Sequence, residues 1–335
     1  MKKFSVGLPL SDKPEFVGKI IENAQHISEV YFSLPGFGSG RSGSGQNQLY
    51  TYNLLTDTLK LISSKVIALN VLFNANCYGK DALAREFFYK IGDRIEELTK
   101  TCPISCVTTT SPLIAKFIKE NFQGVETRAS VNMEIGTVDG MEYLSDYFDG
   151  YYLKRELNKD LGAIKKARAW CDKTGKKLFM LANSGCLNNC SAHIFHDNLV
   201  AHENEIMASD NAYLFEGVCR SYLKLHPENF LKNTGFIRPE DLHLVENYFD
   251  GIKLATRVSK NPSLILNAYV SRSFSGLLPS LTEPDHSGLF YPFVIENKKL
   301  PGEYGRKVLT CAKNCENCNY CVTVVKNATV RLEDF

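Results

Sequence analysis

Eight short β-rich runs, all but one followed promptly by an amphipathic helical pattern, occupy about 270 residues of this chain and predict a (β/α)8 barrel. Alternation of this kind argues for parallel strand–helix–strand units. The number of units and their combined length match the closed barrel, for which roughly 250 residues is typical. A doubly wound open sheet fits the same alternation, because neither register nor closure is visible in a sequence.

In chain order, SVGLP near residue 5 precedes the helical pattern PEFVGKIIENAQH. EVYFSLP leads through a Gly/Ser loop to LYTYNLLTDTLKLISS. VIALNVLFN runs into DALAREFFYKIGDRIEELTK, and ISCVTTT into SPLIAKFIKENF. VETRASV precedes VDGMEYLSDYF, and GYYLKRE precedes LGAIKKARAWCDKTG. KLFMLAN is the exception and ends at a cysteine cluster; GIKLATR then leads to PSLILNAYVSRSF. The connection 184–250 is far longer than an ordinary strand–helix loop. After Phe274 the strand–helix rhythm stops. The expected organisation is therefore a barrel over 1–275 with an insertion at 184–250, and a Cys-rich metal-binding extension over 276–335.

Net charge is +2 with both signs interspersed, which leaves no electrostatic footprint for nucleic acid. The start MKKFSVGLPLSDKP is basic, but its apolar run is short and breaks at Asp12 and Pro14, unlike a secretory leader. No apolar stretch approaches the roughly 18 residues that span a bilayer. A soluble, cytoplasmic protein without a membrane partner is expected. Eleven cysteines in the reducing cytosol are poor disulfide candidates, so metal binding is the leading explanation.

The tail CAKNCENCNYC places Cys311, Cys315, Cys318 and Cys321 at C-x3-C-x2-C-x2-C spacing. Iron–sulfur clusters are held by thiolates at such short spacings. Zinc sites pair two knuckles across a longer spacer, which is absent here. The middle run NSGCLNNCSAHIFH carries Cys186 and Cys190, with His193 and His196 close behind and Cys219 as a plausible third ligand. Small buried thiols are the plain alternative for that group. Both groups are expected to ligate metal, the middle one on the catalytic face, because the seventh strand runs directly into Cys186. Cys102, Cys106 and Cys171 look structural, and Cys77 looks like a loop cysteine facing the site.

Other polar residues converge on the strand ends: Asn74 and Asn76, Thr108 to Thr110, Ser130 with Asn132, Lys154 to Glu156, Asn183, and Lys253 with Arg257. Lys154, Glu156, Lys253 and His193 are candidates for acid–base work. Arg41, in the glycine-rich loop PGFGSGRSGSGQ, and Asn74 and Asn183 are candidates for cofactor binding. The plain alternative for each is a salt-bridged barrel residue. In FIRPEDLHLVENYFDGIKLATR a helix is expected to start at Arg238 and Pro239, with Glu240 and Asp241 complementing its dipole. Arg238 is left over and is a candidate catalytic or ligand-facing residue.

The run LANSGCLNNCSAHIFH, the later Cys219, the segment IRPEDL…YFDGIKLATR and the Cys-rich tail resemble the peptidase U32 (collagenase-like) family. The resemblance covers most of the chain in pattern. It implies a barrel, and several members carry a 4Fe–4S cluster on four cysteines and act in oxygen-independent hydroxylation of a quinone precursor or of RNA bases. Other members are labelled peptidases. Carried over, Cys186, Cys190 and Cys219 look like cluster ligands, with the fourth left open and the tail as one source of it. The tail itself departs from the hydroxylase members and suggests a second cluster or a different ligand set.

The function expected is an iron–sulfur redox enzyme modifying a small molecule, a peptide or an RNA base, with an electron-donor protein as partner. A second reading follows from Cys311-x3-Cys315-x2-Cys318, the spacing of radical S-adenosylmethionine enzymes, which would add S-adenosylmethionine as a cofactor. Peptidase and non-catalytic carrier are weaker readings: HExxH and a G-x-S-x-G elbow are absent, and a full barrel exceeds what a carrier needs.

Overall fold

The computed structural model describes residues 3–9, 13–40 and 52–334. Strands β1 (Phe4–Gly7), β2 (Ile27–Ser33), β3 (Ala68–Phe73), β4 (Cys106–Thr109), β5 (Glu126–Ala129), β6 (Gly150–Tyr152), β7 (Lys177–Leu181) and β8 (Gly251–Leu254) pair in parallel in sequence order. β8 closes on β1 with Phe4 opposite Ile252 and Ser5 opposite Lys253. The expected (β/α)8 barrel is the fold found, and closure removes the open-sheet alternative.

The outer ring contains α1 (Pro14–Glu22), α2 (Tyr52–Ser63), α3 (Arg85–Thr101), α4 (Pro112–Asn121), α5 (Val138–Glu142) and α6 (Leu161–Thr174). Their buried residues recur one turn apart, as Leu55, Leu59 and Ile62 do in α2 and Ile91, Ile95 and Leu98 in α3. Prolines open α1 and α4. Ser111 accepts from the Ile114 N–H and Asp160 from the Ala163 N–H, satisfying donors a helix start leaves open. α5 is shorter than the pattern VDGMEYLSDYF suggests. Past Glu142 the chain winds in tight turns, and Phe148 is delivered to the core.

Alternation along the strands sorts two interiors. Val6, Val30, Phe32, Val71, Val107, Met180, Ile252 and Leu254 face outward into the helix layer. Inside lie Ser5, Glu29, Asn70, Thr108, Arg128 and Lys253, all buried, beside a small apolar cluster of Val131, Tyr152, Phe179 and Leu181. Ser5 Oγ and Asn70 Nδ2 donate to Glu29 Oε1 at 2.7 and 2.8 Å, and Arg128 pairs with the other carboxylate oxygen. Burial alone raises the Glu29 carboxyl; Arg128, Asn70 and Ser5 outweigh it and hold the group ionised. Gly7 is required here, because a Cβ would stand 2.5 Å from the Tyr31 ring.

Between β7 and β8 the insertion forms α7 (His193–Ala201), α8 (Glu203–Met207), α9 (Val218–Leu225) and α10 (Asn229–Lys232). It returns across the barrel at Gly235, where a Cβ would lie 2.0 Å from the Arg155 carbonyl oxygen. α11 (Pro262–Ser271) completes the ring. Beyond it, β9 (Phe293–Ile295) pairs antiparallel with β10 (Thr329–Arg331), framing α12 (Tyr304–Thr310) and α13 (Tyr320–Ala328). Tyr304, Val308, Leu309, Val324, Val325 and Ala328 join the same core as the barrel helices. The extension therefore shares the barrel's core. Among the described residues no helix is long and apolar enough to cross a membrane.

Candidate active site at the barrel mouth

The C-terminal strand ends enclose a cavity of about 60 Å³, whose walls include Tyr31, Asn74, Asn132, Arg155, Ser184, Lys253, Arg257 and Glu283. Lys253 enters from β8 with Nζ 4.1 Å from the centre of the Tyr31 ring and 5.1 Å from that of Tyr152. The Tyr31 hydroxyl donates to the Leu254 carbonyl at 2.8 Å, which holds its ring in place. Burial first, then the neighbouring Arg257 and Arg128, push the Lys253 amine down to about 7, against the pull of Glu29. Asn74 is buried on the wall, accepting from the Gly40 N–H at 3.2 Å.

Beside the cavity, three of the four expected catalytic residues share one network. His193, at the start of α7, sits between Glu134 (Nδ1 to Oε1, 3.2 Å) and Asp197 (Nε2 to Oδ2, 3.1 Å). Asp197, then Glu134, raise the imidazole to about 9 by holding its proton. Arg155 Nη2 lies 2.9 Å from Nε2, and Glu134 Oε1 lies 3.7 Å from the same guanidinium. Lys154 pairs with Glu156 at 2.7 Å, and Glu156 accepts from the Asn189 N–H at 2.5 Å. Asn76 donates to Asp197 at 2.7 Å. Glu134 takes a left-handed backbone conformation (φ 52°), uncommon for a residue with a Cβ and a mark of sites where geometry overrides local preference.

The two cysteine groups flank the 3₁₀ turn Arg155–Lys159. At one end Arg155 Nη1 donates to Cys186 Sγ at 3.6 Å. At the other, buried Lys159 donates to the Leu231 carbonyl at 2.9 Å and lies in the electrostatic field of Cys321. Burial pushes the Cys321 thiol up and Lys159 draws it down, while Cys315, Cys311 and Cys318 act on it as like charges. Cys219 stands beside His196, each 3.5 Å from a Cβ built on Gly217. Among the described residues no three His, Cys, Asp or Glu side chains converge as a single metal ion demands. Cys311, Cys315, Cys318 and Cys321 are soft donors of the type an iron–sulfur cluster takes. Cys77 lies apart, its thiol lowered by a hydrogen bond to His202 and by the Gly79 N–H at 3.4 Å.

Other expected site residues are placed differently. Asn183 donates to the Ala255 and Leu281 carbonyls and accepts from the Ala255 N–H, so its amide ties strands together. Arg238 lies outside the mouth. Its guanidinium is bidentate to Asp241 at 2.6 and 3.0 Å and lies over the Tyr304 ring, docking the extension. The helix expected at Arg238 is a 3₁₀ turn, Pro239–Leu244, and Glu240 accepts from the Phe274 N–H and from Asn297 instead of only serving a dipole. Arg41 lies outside the described residues. Glu134 and Asp197 were not legible in the sequence, which offers no spacing that joins residues about 60 positions apart.

Together the fold and the mouth define a (β/α)8-barrel protein with a small polar cavity at the end where such barrels carry their chemistry. Among solved structures, the U32 peptidase Mk0906 is similar to this chain with a TM-score of 0.55 at 11% identity, covering 76% of this chain and 92% of its own. A GH113 β-1,4-mannanase complex matches at TM-score 0.41 and 10% identity, over 76% of this chain and 88% of its own. Phosphoribosyl anthranilate isomerase from Thermus thermophilus matches at 0.39 and 12%, over 81% and 98%. At these identities the likeness to Mk0906 shows the shared fold. No protein-family model matches the chain, and no curated protein sequence matches it significantly.

Proposed function

We propose that this chain is an iron–sulfur-dependent enzyme of the U32 kind that modifies a small group presented at the barrel mouth. The observation that carries the reading is the shared turn Arg155–Lys159. One end touches Cys186 and the cavity, the other adjoins Cys321 of the tail. A cofactor held by the Cys186 group would lie beside the cavity. A 4Fe–4S cluster, when bound, supplies one-electron transfer or Lewis acidity. The chain's own residues bind and orient the substrate through Asn74, Arg155 and Arg257, and hold a proton at His193. The fold shared with a U32 peptidase supports this reading. An electron-donor protein is its expected partner.

The test is anaerobic purification with iron and acid-labile sulfide analysis and electron paramagnetic resonance. Iron with matching sulfide supports the proposal; zinc without sulfide overturns it. Serine substitution of Cys186 and of Cys318, with iron counted in each, separates one cluster from two.

A second reading has its own observation. Cys321 is the tail thiol that burial raises, whereas Cys311 and Cys318 are exposed. Cys315 is half-buried like Cys321, and the first three tail thiols keep the spacing used with S-adenosylmethionine. Reductive cleavage of S-adenosylmethionine by the reduced protein distinguishes it from the first.

A further inference from the structure

We infer that Lys253 is a catalytic amine that forms an imine with a small carbonyl compound bearing a carboxylate, held in the barrel mouth by Arg257 and Arg155. The inference shares with the proposed function only the mouth as substrate site, and no step of it requires a cluster.

The geometry is the starting point. Lys253 is buried on β8, its partners in register being Ser5 and Leu181 on the neighbouring strands, and its side chain forms part of the cavity wall. Two aromatic faces, Tyr31 and Tyr152, pack around Nζ and shield it from water. Among the described residues no carboxylate stands in ion-pair contact with it. Its charged neighbours from the surrounding strands are Arg128 on β5, Arg257 beyond β8, and Glu29 on β2, which is itself committed to Arg128. Cys106 on β4 also faces it, and its thiol is pushed well up by burial. A desolvated lysine beside other cations is the environment that yields a nucleophilic amine at neutral pH. The resulting value of about 7 matches that expectation.

The ligand class follows from the rest of the wall. Two buried guanidinium groups, Arg155 and Arg257, favour a carboxylate. The cavity opens to solvent, and its space of about 60 Å³ suits a small reacting group beside the wall. A two- or three-carbon oxo acid meets both conditions. In the reaction the Nζ lone pair forms a bond to the carbonyl carbon and the C=O π pair moves to oxygen. That oxygen takes one proton from the nitrogen and one from solvent. The C–O bond then breaks, water leaves, and the nitrogen pair closes the C=N⁺ bond. No oxidant or reductant is consumed.

The experiment is reductive trapping on the full-length protein. Pyruvate, glyoxylate and the uncharged ketone acetone are each presented with cyanoborohydride at neutral pH, and labelled lysines are mapped by peptide mass spectrometry. Pyruvate or glyoxylate should label Lys253 at least about tenfold above any surface lysine, with labelling rising as pH increases through 7. Arg257→Met should lower labelling by the acids more than labelling by acetone, because loss of the Arg257 charge raises the Lys253 amine and slows both reactions. Lys253→Arg, checked for folding by its melting transition, should lose the adduct. Labelling of Lys253 no greater than that of surface lysines overturns the imine. Acetone labelling equal to that by the acids overturns the carboxylate assignment. Protein stripped of iron should trap the adduct equally well, so absence of a cluster and absence of an imine are read separately.

Discussion

Arg128 and Lys253 are both buried inside the same barrel, yet they hold opposite electrostatic positions. Arg128 is gripped by Glu29 and Glu126 and lies 4.0 Å over the Phe179 ring, and its charge is locked in. Lys253 has two tyrosine faces and cationic neighbours, and about half of its charge is lost at neutral pH. Low dielectric acts on both, so burial does not decide the outcome. A carboxylate within reach decides it. The lower polar layer is built for stability and specificity, whereas the layer above it, at the mouth, carries a group kept reactive at some cost in stability.

The largest expected effect comes from removing the carboxylate partner. Glu29→Gln leaves Arg128 buried with only Glu126, and should destabilise the protein by about 3–5 kcal/mol in urea unfolding. A cost below about 1 kcal/mol would break the contrast, since Arg128 would then not depend on its partner.

Lys253→Met should act in the opposite direction. The folded-state value near 7 lies below the unfolded value near 10.5, so the unfolded chain binds more protons between those limits. Wild-type stability therefore gains as pH rises from about 7 to 10.5, and the burial penalty is complete below 7. The substitution should stabilise by about 3–4 kcal/mol at pH 6–7, with the gain fading towards pH 10.5. Unfolding curves at three pH values check this.

His193 supplies the intermediate case, a cation that gains from carboxylates at a half-exposed site. Its value is raised from 6.5 to about 9, so its contribution is complete below 6.5 and is lost as pH rises through 9. His193→Gln should cost about 1–2 kcal/mol at pH 6, after allowance for solvent screening, and almost nothing at pH 10. The smallest effect belongs to the surface of α3, where Lys100 and Glu96 pair at 3.1 Å in water. Glu96→Gln should move stability by no more than about 0.5 kcal/mol.

Much of this was legible before any coordinates. Six of the eight strands lie within a run read from the sequence and the first two begin one or two residues before theirs, because runs such as VIALNVLFN put apolar residues on the outward face whatever the interior holds. Cys186 was placed at the mouth by the end of KLFMLAN, since a strand's direction fixes where its next residues emerge. Lys253 and Arg257 were visible as polar strand ends, but their environment was not. Arg238 misled for a related reason: its partner Asp241 stands three residues on, and the sequence pattern assigned that carboxylate to a helix dipole.

By itself the sequence determined the barrel, its long insertion and the two cysteine groups, because hydrophobic period and residue spacing are local properties that survive without coordinates. Only the tertiary structure decided which charges are paired and which are not. It set Glu29 against Arg128 across 99 positions and left Lys253 among cations. It also laid His193 between Glu134 and Asp197. Charge state inside a protein depends on distances of a few ångströms between segments remote in the chain, and those distances exist only once the barrel has closed.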